Sequence, residues 1–264
     1  MSTAKRTVWL SGRFMAEKRA HVPATSLAVM LGIGLYETLR LVQGHAPLLE
    51  LHLARLHGAC RTLGLRTRSR DWPGILGTLA SRNRIRNGQA RITIGDGFEL
   101  ATCARLPREL GREREQGISL VSASHPRAAP ELKGTSRLPL WLAERSANGE
   151  ALLVSEPGQQ LLETTRANLF VVTAHGLETA PTGQVLPGIA RGIVLELAAE
   201  MGVPVQTRAP DARERTHWRE VFVTNALRGL RPVRQIDAHE LPLPGPGTVT
   251  RRLQEALDER MGLR

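Results

Sequence analysis

The chain has 264 residues, of which 41% are hydrophobic and 23% charged, with a formal net charge of +11. Its length suits one large domain or two small ones, and its composition is that of a globular protein with enough apolar material for a proper core. The charge raises the question of a nucleic-acid partner, but the arginines run along the whole chain, enriched only over residues 61–86, and 3% aromatics with one Tyr give little on which to stack bases, so no nucleic acid is expected.

Residues 1–6 lead toward a strand rather than an apolar signal core, and no run approaches the roughly eighteen apolar residues of a membrane span. Cys60 and Cys103 are too few for a disulfide framework and lack metal-ligand spacing. The expectation is a soluble cytoplasmic protein with no metal site and no membrane partner.

In chain order, residues 7–10, Ser11-Gly12-Arg13 and Phe14-Met15 predict a strand, a tight turn and a returning strand. Residues 22–31 are mixed, Gly32-Ile33-Gly34 loosens the backbone, and 35–42 alternate as a strand that turns at Gln43-Gly44-His45. Leu49, Leu53, Leu56, Cys60 and Leu63 recur at three- and four-residue spacing and predict a helix over 48–65, with Gly64 near its end. His52 and Arg55, three apart on that helix, read from spacing alone as a solvated pair. A second helix is predicted over 72–80, then a strand over 89–94 that pairs with 100–106. The charged, Pro- and Gly-containing stretch 107–116 reads as a linker. The expected domains are 1–110 and 117–264, with 111–116 between them.

Beyond it, 118–121 predicts a strand, 124–130 a polar loop with Lys133 in the following turn, 138–145 a helix, 151–154 a strand and 156–159 a turn. Leu161-Leu162 and the apolar run 169–172 flank Glu163. The Pro187-Gly188 step opens a helix through Ile189, Ala190 and Arg191 to Met201, either an ordinary capped start or an anion site made of free backbone N–H groups. A strand over 221–223 stops at Thr224-Asn225-Ala226, whose small residues suit a second backbone contact to a phosphate. Residues 249–261 predict a closing amphipathic helix. Strands and helices mix without a strict βαβ rhythm, so the fold class is α+β, or mixed α/β, in two domains.

Two residues carry candidate chemistry. Among 36 Lys plus Arg, only Lys5, Lys18 and Lys133 are lysine, so Lys133 is either a stray surface residue or an amine required to lose its proton and attack a carbonyl. Glu163, between apolar segments, is a carboxylate that burial penalises unless a cation or proton meets it. An amine, a buried carboxylate and two phosphate cradles fit pyridoxal phosphate, which needs all three.

Ordered motifs carry a family resemblance: Leu35-Tyr36-Glu37-Thr38-Leu39-Arg40, His52-Leu53-Ala54-Arg55-Leu56, Lys133 with Arg137-Leu138, Glu163 to Phe170, Leu186 to Arg191, and Thr224 to Val233. The chain resembles the fold-type IV pyridoxal-phosphate enzymes, the class IV aminotransferases, over about residues 9–233. The resemblance implies the two-domain fold of the D-amino-acid and branched-chain aminotransferases, pyridoxal 5'-phosphate as cofactor, an amino-acid-like substrate, and a homodimer with its site near the subunit interface. It implies that Lys133 is the Schiff-base lysine and later acid/base, that Glu163 meets the pyridine nitrogen, and that Arg55 holds the phosphate with Gly188, Ile189, Ala190, Asn225 and Ala226. Ala190 and Ala226 stand where the family commonly has Thr or Ser. Thr38 and the stretch Thr224-Asn225-Ala226-Leu227-Arg228-Gly229 look most like the 4-amino-4-deoxychorismate lyases, which expel pyruvate to leave 4-aminobenzoate; Thr38 and Asn225 are then at the substrate. The alternative is an aminotransferase of D-amino, branched-chain or related amines. The lyases' Arg- and Gly-rich loop is absent from residues 94–107, and Arg91 and Arg105 are the nearby arginines that could replace it.

Overall fold

The structure is a computed structural model and describes residues 6–124, 127–155 and 159–263. Lys5, part of the predicted loop at 124–130 and most of the predicted turn at 156–159 lie outside the described residues. The chain divides into two compact units, one running to Pro107 and including Leu132–Arg137, the other made of Arg108–Glu131 and the chain from Leu138 onward.

The first unit contains β1 (Thr7–Leu10), β2 (Arg13–Ala16), a short α1 (Leu27–Met30), β3 (Gly34–Leu41), α2 (Leu49–Leu63), α3 (Trp72–Arg82), β4 (Gly88–Gly95) and β5 (Phe98–Ala104). Its sheet has the order β2-β1-β5-β4-β3, with every pairing antiparallel. The helices form where the sequence periodicity places them. Gly64, at φ 66, takes the left-handed position that ends α2 and donates to the last carbonyls. Asp71 caps α3 by accepting from the Gly74 amide. Leu53 and Leu56 of α2 and Leu76 and Leu79 of α3 bury against Leu35, Leu39, Ile92 and Ile94 of the sheet, with Trp9 and Trp72 meeting edge to face at 5.3 Å. Side chains alternate along a strand, so Leu35, Glu37 and Leu39 share the core face while Tyr36 and Thr38 share the other.

Lys133 is not in a turn. Its segment lies antiparallel along β3, with Leu35 bridging Gly134, the Tyr36 amide donating to the Lys133 carbonyl at 2.9 Å and the Thr135 amide to the Gly34 carbonyl at 2.8 Å. β3 ends the five-stranded sheet and has unpaired backbone groups on its outer side; these six residues satisfy some of them, which is why they pack with the first unit.

The second unit contains α4 (Leu110–Gln116), β6 (Ile118–Ala123), α5 (Leu138–Ser146), β7 (Ala151–Val154), β8 (Leu161–Thr164), β9 (Asn168–Thr173), β10 (Gly176–Glu178), α6 (Ile189–Glu200), β11 (Val205–Gln206), β12 (Glu220–Asn225), β13 (Gly229–Ile236), β14 (His239–Glu240) and α7 (Thr248–Arg260). The charged stretch expected as a linker therefore carries a helix: its Glu, Arg and Gln residues are good helix formers, Leu110 is buried, and Gly117 at φ 71 stops it. Strands β9-β12-β13-β6-β7-β8 pair in that order, and β8 pairs back onto β9, so the sheet closes into a six-stranded ring, with β10 and β11 extending from β9. Leu120, Leu152, Leu161, Leu169, Val171, Val221, Val223 and Val233 form the ring's core. No helix among the described residues is long and apolar enough to cross a membrane.

One irregularity in this ring matters for chemistry. Between Leu161, which pairs with Val154, and Glu163, which pairs with Leu153, the register shifts and Leu162 is left over. Without this bulge Glu163 would share the inward face of Leu161; with it, Glu163 falls on the opposite face and Thr164 turns inward with Leu152.

Candidate active site

In the first unit the polar groups gather on and around β3. On its outer face Thr38 lies opposite Arg91 and Tyr36 opposite Thr93. The Arg91 guanidinium stacks 3.7 Å from the Tyr36 ring centroid, the Lys133 Nζ lies 5.2 Å from it, and Arg137 donates to the Tyr36 hydroxyl at 2.7 Å. Burial alone would raise the phenol's pKa, but Lys133, Arg137 and Arg91 more than offset it and hold Tyr36 below its ordinary value. Arg91 donates to Thr93 Oγ1 at 3.3 Å and has no carboxylate partner among the described residues; burial, the largest influence, draws its pKa down. Lys133, Thr38 and Arg91 are thus brought together around the single tyrosine.

On the core face of the same strand, Glu37 accepts from His52 Nδ1 at 2.7 Å and from Arg55 Nε and Nη2, both at 2.7 Å. Burial opposes the charged form of Glu37, but the hydrogen bonds and charges of His52 and Arg55 overcome it and bring its pKa to about 2. His52 is depressed chiefly by burial, against the attraction of Glu37. Because an ionised carboxylate only accepts, the ring is the tautomer with its proton on Nδ1. His52 and Arg55 are therefore not a solvated pair; they are drawn to a carboxylate that the helix periodicity could not reveal.

In the second unit Glu163 is almost wholly buried. Its Oε1 accepts from Arg127 Nε at 2.8 Å, and its Oε2 from Asn168 Nδ2 at 3.3 Å and the Leu186 amide at 3.2 Å. These donors compensate the carboxylate for the water it has lost. Asn168 Nδ2 also donates to the Leu186 carbonyl at 2.8 Å, which ties the loop before α6 to β9. A Cβ at Gly188 would come within 2.0 Å of Asn168 Oδ1, so the chain must be glycine there. Gly188 is the N-cap of α6 and no side chain caps the helix, leaving the first-turn amides of Ile189 and Ala190 as anion donors. Arg191, buried in the same turn, donates to the Ala180 carbonyl at 2.9 Å, and its Nε has no partner among the described residues.

Asn225, expected at the substrate, uses its side chain locally. Its Oδ1 accepts from the amides of Leu227 and Arg228 at 3.0 and 2.7 Å, and its Nδ2 donates to the Arg166 carbonyl at 3.2 Å. It builds the β12–β13 turn that carries Ala226. Arg127 and Asn168 were invisible to sequence reasoning: one arginine among many and one polar residue in an apolar strand gain meaning only when the bulge delivers Glu163 to them. Among the described residues no His, Cys, Asp or Glu cluster is placed to hold a metal ion.

The family model described as Amino-transferase class IV matches residues 34–236. D-alanine aminotransferase from Bacillus licheniformis is 26% identical, the match covering 95% of each chain. The crystal structure of 4-amino-4-deoxychorismate lyase from Pseudomonas aeruginosa is 28% identical, with a TM-score of 0.80 over 96% of this chain and 98% of that one. The T.th. branched-chain amino acid aminotransferase, solved with pyridoxamine 5'-phosphate, shares the fold with a TM-score of 0.85 at 22% identity, over 99% of this chain and 96% of that one.

Proposed function

The chain belongs to the amino-transferase class IV family, and from that premise we propose a pyridoxal 5'-phosphate enzyme that acts on an amine carrying carboxylates, as a 4-amino-4-deoxychorismate lyase. The residues present suit the cofactor: a charged buried carboxylate for a protonated ring nitrogen, a helix start without a side-chain cap for a phosphate, and a lysine beside a cation-rich tyrosine. When bound, pyridoxal phosphate supplies an aldehyde for amine capture and a ring that withdraws electrons.

Lys133 would hold the aldehyde until the substrate's amine takes its place, and the freed lysine amine would then be the base that takes the proton from the amine-bearing carbon. Glu163, paired with Arg127, would meet the ring nitrogen. Arg55 and the backbone of Gly188, Ile189, Ala190, Asn225 and Ala226 hold the phosphate. Arg91 meets a substrate carboxylate, with the neighbouring Tyr36 hydroxyl as a second polar contact. As Lys133 takes the proton, the carbon–oxygen bond to the enolpyruvyl group breaks, the six-membered ring becomes aromatic, and Thr38 delivers a proton to the departing group, leaving pyruvate and 4-aminobenzoate.

Arg91 carries the substrate side of this reading, because a half-buried guanidinium with no carboxylate partner among the described residues suits an incoming anion. The aminotransferase reading draws support from the D-alanine aminotransferase similarity. Incubation with 4-amino-4-deoxychorismate separates the two: pyruvate formed without added 2-oxo acid establishes the lyase, whereas no pyruvate, together with amine transfer to a 2-oxo acid, replaces it with the aminotransferase. A homodimer belongs to the same proposal, and the exposed Val29, Met30 and Leu31 at α1 offer apolar surface for it.

A further inference from the structure

One end of the second unit's ring is filled by charge. Arg231 shares the pleat of Val233 on β13 and is only 2% exposed. Its guanidinium donates to Glu150 at 2.8 and 3.0 Å and to Glu113 of α4 at 3.1 Å, while its Nε finds no partner among the described residues. Glu150 accepts from the inward-turned Thr164 Oγ1 at 2.5 Å, and Glu113 also binds Arg228 of the β12–β13 turn. Thr164 Oγ1 in turn accepts from the amides of Arg166 and Ala167 at 3.2 and 2.8 Å, which closes the turn after Glu163. The Arg166 carbonyl receives Asn225 Nδ2, so the circuit returns to the turn it started from.

An apolar side chain of similar volume would fill the site of Arg231 with no desolvation to overcome and no orphaned Nε. What the ionic chain has and an apolar one lacks is direction. Each link fixes a backbone position, and its two ends are the turn that presents Asn225 and Ala226 and the residue that follows Glu163. We infer that Thr164–Glu150–Arg231–Glu113–Arg228 is a positioning circuit that sets the β12–β13 turn at a fixed separation from Glu163, and so matches the second unit to the distance between the phosphate and the ring nitrogen of one pyridoxal phosphate. None of the five touches the cofactor in this assignment; they act through Ala226 and Glu163. The inference rests on the cofactor reading given above.

The test compares pyridoxal phosphate with pyridoxal, which lacks the phosphate, on the full chain. Dissociation constants for both aldehydes are measured by visible absorbance on wild type, Arg231→Met and Glu150→Gln, together with melting of the cofactor-free proteins. The circuit predicts that the preference for the phosphorylated aldehyde falls about tenfold or more in both variants, with pyridoxal affinity little changed. A role in stability alone would lower melting temperatures and leave the preference at its wild-type value, which would overturn the inference. Should Arg231→Met not fold, Glu150→Gln and Glu113→Gln carry the same comparison. A wild-type protein that captures neither aldehyde overturns the cofactor reading and the inference with it; wild-type capture with unchanged preference in the variants overturns the inference alone.

Discussion

A guanidinium held half-buried over an aromatic ring without a carboxylate has lost hydration without full compensation, and among the described residues Arg91 over Tyr36 is in that condition. An anionic substrate group would complete it. Arg91→Leu is therefore expected to lose about 1.5–3 kcal/mol of substrate binding, roughly a 10- to 150-fold rise in KM with a smaller change in kcat, because a charge-assisted hydrogen bond is removed. Steady-state kinetics on the pyruvate-forming reaction checks this, and a KM unaltered by the substitution would assign the carboxylate to another cation. Lys133→Ala is expected to abolish borohydride-trapped cofactor, with peptide mass mapping of the wild type finding the label on Lys133. At this scale the sequence was informative where a residue type was scarce or oddly placed. Lysine in an arginine-rich chain singled out Lys133, and an acid between apolar runs singled out Glu163. Arginines carried no such contrast, so Arg127 could be recognised only from its 2.8 Å contact.

Elements with strong periodicity were legible as well. The three- and four-residue recurrence from Leu49 to Leu63 and the helix after Gly188 appear nearly as spaced. What periodicity could not show is where regularity is broken for a purpose. The two apolar runs around Glu163 suggested strands, but the bulge at Leu162 that re-aims the carboxylate has no signature in residue type. The close approach of Gly188 to Asn168 is equally silent in a sequence that merely reads Pro-Gly. It gives a direct test: Gly188→Ala places a methyl 2.0 Å from Asn168 Oδ1 and must displace a residue bonded to both Glu163 and Leu186. The variant is expected to melt lower and to release cofactor faster, measured by thermal unfolding with and without pyridoxal phosphate. Loss of stability with normal cofactor retention would detach this glycine from the site.

For the molecule as a whole, Glu37 and His52 form a buried pair that is sensitive to acid. Both have folded pKa values below their unfolded ones, Glu37 falling from 4.5 to about 2. The unfolded chain therefore binds more protons in acid, and stability falls as pH falls, first below about 6.5 through His52 and then between about 4.5 and 2 through Glu37. The Glu37 contribution is on the order of 3 kcal/mol. Denaturant unfolding at pH 7, 5 and 3 should show this acid loss in the wild type, and Glu37→Gln should be less stable at pH 7 with a flatter response below 4.5. The fold class was readable at this scale because composition and mixed periodicity constrain it, but the course of the chain was not. A predicted cut at 111–116 treats the halves as consecutive, whereas Leu132–Arg137 is hydrogen-bonded along β3.

That return of the chain governs how the protein can be taken apart. A gene split at the predicted linker would give an N-terminal fragment without the strand that pairs outside β3 and a C-terminal fragment with Lys133 on a peptide stripped of its template. Co-expressed fragments would have to reassemble through that strand before any amine stood beside Tyr36, so complementation between them would report strand docking rather than the joining of two finished domains. Moving the break to a point after Arg137 keeps that segment covalently attached to its sheet but strands α4 and β6 on the N-terminal fragment, away from the ring they belong to, so no single break divides the molecule into its two units.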